Sequence, residues 1–198
     1  MLIYFSVIFS DSLTKCLLVV NIMKITDCFE FEGKDITRSI GFENGIQVIE
    51  YRLGFSGLKL EIHPTMKEAT KGVCGVEEYI IEYPSINKEG NKTAVTKILH
   101  KAQMKTLLKF SIQDIKGTPR SRRRQGPIEN ALEEMGNFGD IERILLINFM
   151  CPRKERTDYF DNYFQEPSHI MHMDVGFRHI GYYRHNFGEY PLYVFEFE

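Results

Sequence analysis

The sequence predicts an α+β fold, a single mixed, mostly antiparallel sheet packed by two or three helices. Three observations carry this. Short apolar segments that alternate in period two recur from one end of the chain to the other. Two stretches carry apolar residues at three- and four-residue spacing instead. The 198 residues are 43% hydrophobic, enough for one core and, in length, for one domain. Residues 23–198 are read as that single α+β domain. Residues 1–22 are read as an apolar N-terminal extension or strand pair.

The elements follow in order. Residues 1–9 and 16–22 are apolar, but Asp11, Ser12, Thr14 and Lys15 interrupt them, so no continuous span of about 20 apolar residues exists. An early positive charge and a small-residue cleavage site, the marks of a signal peptide, are not evident. Met23 is an alternative start. Residues 46–53 and 58–62 read as two strands around Gly54-Phe55-Ser56-Gly57; Leu58, Leu60 and Ile62 face one way, Lys59 and Glu61 the other. His63-Pro64 closes the second strand. Residues 77–83 are β-rich and stop at Pro84. Ala94, Val95, Ile98, Leu99 and Ala102 have helical spacing and predict an amphipathic helix. Leu108, Phe110 and Ile112 alternate with Lys109, Ser111 and Gln113 and predict a strand. Pro127 fits a first helical position, Ile128, Ala131, Leu132 and Met135 form a stripe, and Gly136 is a stop. Residues 144–150 form a short continuous apolar run, as in a strand covered on both faces. Residues 157–164 are aromatic and acidic and read as a short helix. Tyr193, Phe195 and Phe197 close the chain as an alternating strand.

Charge and cysteines narrow the function classes. A net charge of −2 argues against a generic polyanion binder, so any nucleic-acid contact needs a local patch. Cys16, Cys28, Cys74 and Cys151 form no C-x-x-C pair, which excludes a recognisable zinc ribbon or thioredoxin motif. They read as ordinary buried thiols of a reducing, cytoplasmic compartment. No G-x-S-x-G, P-loop or Rossmann fingerprint is present.

The most distinctive stretch is GTPRSRRRQGPIENALEEMG, residues 117–136. Arg120, Arg122, Arg123 and Arg124 run into Gly126 and then a helix start. A helix N-terminus carries unpaired N–H groups and partial positive charge, glycine lets a phosphate approach, and arginine adds bidentate donors. Fed by the expected strand at 108–112, the loop reads as a pyrophosphate cradle.

Arg123-Arg124-Gln125-Gly126-Pro127-Ile128 resembles the Q/R-x-x-G-x-G/A loop of the GNAT-type N-acetyltransferase superfamily. Gly176-Phe177-Arg178-His179-Ile180-Gly181 resembles that family's G-F-x-x-x-G stretch. The likeness covers roughly residues 107–198. Ile128 stands where the family has Gly or Ala, Pro127 removes one amide donor, and His172 stands where a tyrosine often lies, four residues before the G-F pair. The resemblance implies acetyl-CoA as cofactor, held by Arg123, Arg124, Gln125 and Gly126, and a small-molecule or protein amine as acceptor. It implies Tyr163 or His172 as the acid that protonates the departing thiolate, with a carboxylate acting through water as base.

Other constellations point elsewhere. His169 and His172 would share a face if their segment is helical, with Asp174 nearby, but the spacing matches no metal-ligand signature, and no metal is expected. Asp114-x-Lys116 is similar to the acid-x-lysine half of a metal-dependent nuclease site. The aromatic C-terminal region is read mainly as core. In a rival, non-catalytic reading it joins Arg120–Arg124 in gripping a protein, a second copy of the chain or a nucleic acid.

Overall fold

Asn44-Gly45 is the strongest short-range hairpin signal in this chain, because both residues tolerate positive φ. In the computed structural model they take φ 51° and 80°. Glu32-Gly33 does the same one turn earlier, at 49° and 70°. The model describes residues 24–66, 68–69, 79–81, 92–100, 102–117, 141–147, 167–185 and 188–197.

The two turns join β1 (Ile25–Phe31), β2 (Lys34–Glu43) and β3 (Ile46–Leu53), and a third at Gly54-Phe55 leads to β4 (Ser56–His63). These pair as an antiparallel meander. β5 (Tyr79–Ile81), β6 (Thr93–His100), β7 (Arg143–Ile147), β8 (Arg178–His185) and β9 (Gly188–Glu196) complete one nine-stranded sheet in the order β1-β2-β3-β4-β6-β7-β9-β8-β5. Among the described residues, two helices, α1 (Met104–Gly117) and α2 (Pro167–Val175), lie between the later strands in the chain. β6 and β7 are parallel; the other pairings are antiparallel. The α+β class and the mostly antiparallel mixed sheet are as the sequence predicts. So are the strands at 46–53, 58–62 and 144–147 and the closing strand.

The helix and strand expected between residues 94 and 112 are exchanged. Residues 93–100 form β6, between β4 and β7. Both of its faces are covered: Ala94 belongs to one apolar cluster and Val95 to the other. A strand buried on both sides loses period-two alternation, so its apolar residues mimic helical spacing. Residues 104–117 are helical instead. Met104, Leu107, Leu108, Ser111 and Ile115 make the buried stripe, and Phe110 and Ile112 on its flanks create the false alternation. The arginine loop therefore follows a helix rather than a strand. Cys28 also departs from expectation, since it is exposed on β1.

Both helices cover one face of the sheet. Ile36, Ile40, Tyr51, Leu58, Leu60, Ile144 and Tyr193 from the strands meet Leu107, Leu108, Phe110 and Ile115 of α1 in the larger core. The opposite face of the later strands holds a smaller cluster of Val95, Leu145, Ile180, Leu192 and Val194, joined by Met66 and Ala69. No helix among the described residues is long and apolar enough to cross a membrane.

Candidate functional site

The register places Leu60, Thr96, Leu146, Tyr193 and His179 on one rung across β4, β6, β7, β9 and β8. Among the described residues, the parallel ladder between β6 and β7 runs from Thr93/Arg143 to Thr96/Leu146. Beyond it, β6 continues to His100 against β4, and β7 continues to Ile147 against β9. The Thr96 hydroxyl donates to the Leu145 carbonyl at 3.2 Å and clips the two strands together at this point.

α2 lies over the same rung. It ends in a Schellman motif: Gly176 takes φ 101°, its N–H donates to the Met173 carbonyl at 2.9 Å, and the Phe177 N–H donates to the His172 carbonyl at 3.0 Å. The helix places His169 and His172 on one buried face, as their spacing predicts if helical. A hydrogen bond joins His169 Nδ1 and the Tyr193 hydroxyl at 2.9 Å. The His172 ring packs 4.9 Å from that of Tyr193, centroid to centroid. His179 closes the group from β8, 5.5 Å from Tyr193 and 5.1 Å from Tyr182. A register shift between His179 and Gly181 makes this possible: His179 pairs with Tyr193 and Tyr182 with Pro191, so side chains three residues apart share a face. Three imidazoles thus surround one phenol. Burial lowers the pKa of His169. Burial, and then the His169 charge, lowers that of His179 to about 4.

The polarity of α2 is the reverse of what hydrophobicity alone selects. His169 and His172 are 6% and 2% exposed, while Ile170 and Met173 are 47% and 44% exposed. An apolar side chain in either buried place would give up more water contact and leave no polar atom to satisfy. His169 holds its place through Nδ1, bonded to the Tyr193 hydroxyl.

A second feature lies at the start of α1, which three residues separate from the end of β6. The Gln103 N–H donates to Ser56 Oγ at 3.1 Å, and the Leu107 N–H donates to the Gln103 carbonyl at 3.1 Å. The first turn contains no acidic residue. Instead Lys34 donates to Gln103 Oε1 at 3.1 Å and lies 3.5 Å from Thr106 Oγ1. A cation at the positive end of a helix is unfavourable by itself and is relieved by an anion.

Of the residues expected from sequence to act, His172 is in this cluster. Tyr163 and the cradle Arg123, Arg124, Gln125 and Gly126 lie outside the described residues. Residues 108–112, read as the strand that feeds the cradle, are helical, and β6 is the strand that lies parallel to β7. Asp114 of the acid-x-lysine motif follows no strand. It lies in α1, accepts from Arg38 Nη1 at 2.6 Å and from the Tyr51 hydroxyl at 2.8 Å, and serves the core. Among the described residues no three His, Cys, Asp or Glu side chains converge as metal ligands would. Phe177, Tyr182 and Tyr193 are buried, so these C-terminal aromatics offer no surface for stacking bases. Sequence reasoning missed Tyr193 as a polar partner because alternation marks it as core. The clustering of four histidines in residues 169–185 was the available signal.

Comparison with family models, with curated proteins and with solved structures finds no match.

Proposed function

We propose that this chain is an acyl-CoA-dependent N-acyltransferase. The observation that carries the reading is the parallel β6–β7 pair, with α1 following β6 in the chain and α2 lying over the next strand of the sheet. Two such strands would offer backbone polar groups to an extended thioester arm at the point where they separate. Among the described residues the order is strand, helix, parallel strand, helix and antiparallel strand pair.

The phosphate end is reassigned. In the resemblance it belongs to a loop between the first of those strands and its helix, and here that position is residues 101–103. The fit rests on the first turn of α1, which has no acidic residue of its own, and on Lys34 beside it. These would hold the pyrophosphate of acetyl-CoA, which when bound supplies the acyl thioester. The hydroxyl of Tyr193, against whose ring His172 packs, is the proton source for the leaving sulfur. The acceptor amine attacks as the free base, and its proton leaves through water.

Acetyl-CoA at about 100 times its dissociation constant stabilises the native state by about 2.7 kcal/mol, a rise of roughly 5–10 °C in melting temperature for a chain of this size. Lys34→Ala should weaken binding about tenfold, the worth of one charge-assisted contact. No shift with the wild type at millimolar acetyl-CoA overturns the proposal. Capture of RNA or an acidic peptide that is lost when Arg122, Arg123 and Arg124 become Ala would favour the binding-module reading instead.

A further inference from the structure

We infer that α2 is an acid-released latch: it docks on the sheet through neutral imidazoles and detaches when they take up protons, while α1 and the rest of the sheet stay in place. The inference does not depend on the acyltransferase reading.

The geometry behind it is the inverted polarity of α2. A short helix held by leucines stays attached at any pH. This helix presents His169 and His172 to the sheet, turns Ile170 and Met173 outward, and adds only the partly buried Met171 and Val175 to the core. Its attachment therefore rests on imidazoles rather than on aliphatic side chains, and burial favours the neutral form of His169. The titratable and charged groups at this junction, among the described residues, are His169, His172 and Asp174 on α2, His179 and Tyr182 on β8, Tyr193 on β9 and Lys105 on α1. His169 and His179 face each other with ring centroids 6.5 Å apart, so a second positive charge here is opposed by the first. The Lys105–Asp174 pair at 2.9 Å is exposed, its side chains 48% and 51% accessible, and exposed pairs hold weakly.

The direction follows from burial. The folded imidazoles prefer to stay neutral, most strongly His179, whose pKa falls to about 4. Once α2 lifts, the rings return toward the ordinary value of 6.5. Between these limits each such ring shifts the ratio of docked to released helix by up to about tenfold per pH unit toward release. Above pH 6.5 the latch stays closed.

Hydrogen exchange followed by mass spectrometry on the full chain tests this, with each peptide corrected for the intrinsic pH dependence of exchange. From about pH 7.5 to about pH 5, protection of the segment Pro167–Val175 should fall at least about tenfold more than that of Met104–Gly117. In the His169→Gln/His179→Gln protein the difference should vanish. Equal loss of protection in both helices overturns the proposal, as does a differential loss that survives the double substitution. Should that variant fail to fold, NMR titration of histidine Cε1 in the wild type decides. A depressed midpoint for His179 together with the selective exchange supports the latch; titration of both His169 and His179 near 6.5 removes it.

Discussion

Arg38 sits in β2 where period-two patterning reserves a place for an apolar side chain, between Ile36 and Ile40, and it is 5% exposed. Burial opposes its charge, but hydrogen bonds and attraction to Asp27 and Asp114 outweigh that and raise its pKa. Arg38 Nε donates to Asp27 Oδ1 at 3.0 Å, and its guanidinium lies 4.5 Å from the centre of the Phe29 ring. Asp114 also accepts from the Tyr51 hydroxyl, whose pKa is raised by burial first and by Asp114 second, so the phenol keeps its proton. This group pins the C-terminal half of α1 to β2 and β3. Asp114→Ala leaves Arg38 half paired and Tyr51 without this acceptor, which should cost about 3 kcal/mol and lower the melting temperature by roughly 6–12 °C. Lys109→Ala, which removes an exposed pair with Glu32, should cost less than about 1 kcal/mol. Equal losses in the two variants would show that Asp114 is no more than another surface carboxylate.

At the scale of elements, legibility followed the number of covered faces. β4 has Leu58, Leu60 and Ile62 on the core side and Lys59 and Glu61 on the other, so its alternation survived and was readable. β6 is covered on both sides and α1 carries apolar residues beyond its stripe, so local period misassigned both; only tertiary neighbours distinguish them. β1 and β2 were not read from the sequence, although Glu32-Gly33 and Asn44-Gly45 carry turn chemistry that suits the meander. In the site, the shared face of His169 and His172 was visible in their spacing. Tyr193 was not, because a phenol on an alternating strand looks like core until a partner from another element is known. Gly176 was legible as a motif and has a physical reason: φ is 101°, and a Cβ there would sit 3.1 Å from Phe195 Cε2. Gly176→Ala should therefore cost more than about 1 kcal/mol and should loosen α2 and β8 before the meander, as residue-resolved exchange would show. A neutral Gly176→Ala would mean that the Schellman turn does not fix the angle of α2.

At the scale of the whole molecule, three imidazoles act on stability in the same sense. His63, His169 and His179 all have lowered pKa values, in each case through burial first; for His63, Glu61 partly offsets this. A group whose folded pKa is depressed gives full stability above its unfolded value and loses it as pH falls toward the folded value. Stability should thus be flat above pH 6.5 and decline toward about 4, the value for His179. Glu50 extends the decline. Burial works against its charge, yet the hydrogen bond and charge of Lys24, then those of Arg52, override burial and lower its pKa, so its contribution fades below the ordinary carboxylate value of 4.5. Allowing for solvent screening of partly exposed rings, the histidines together should remove about 1–3 kcal/mol between pH 7 and pH 5. Urea unfolding at a series of pH values measures this directly. The midpoint should drop across that interval with little change in its slope on denaturant, since the surface exposed by unfolding is nearly the same. A midpoint that rises on acidification would mean that the imidazoles gain carboxylate partners when charged, which would reverse the sign of the argument at all three positions.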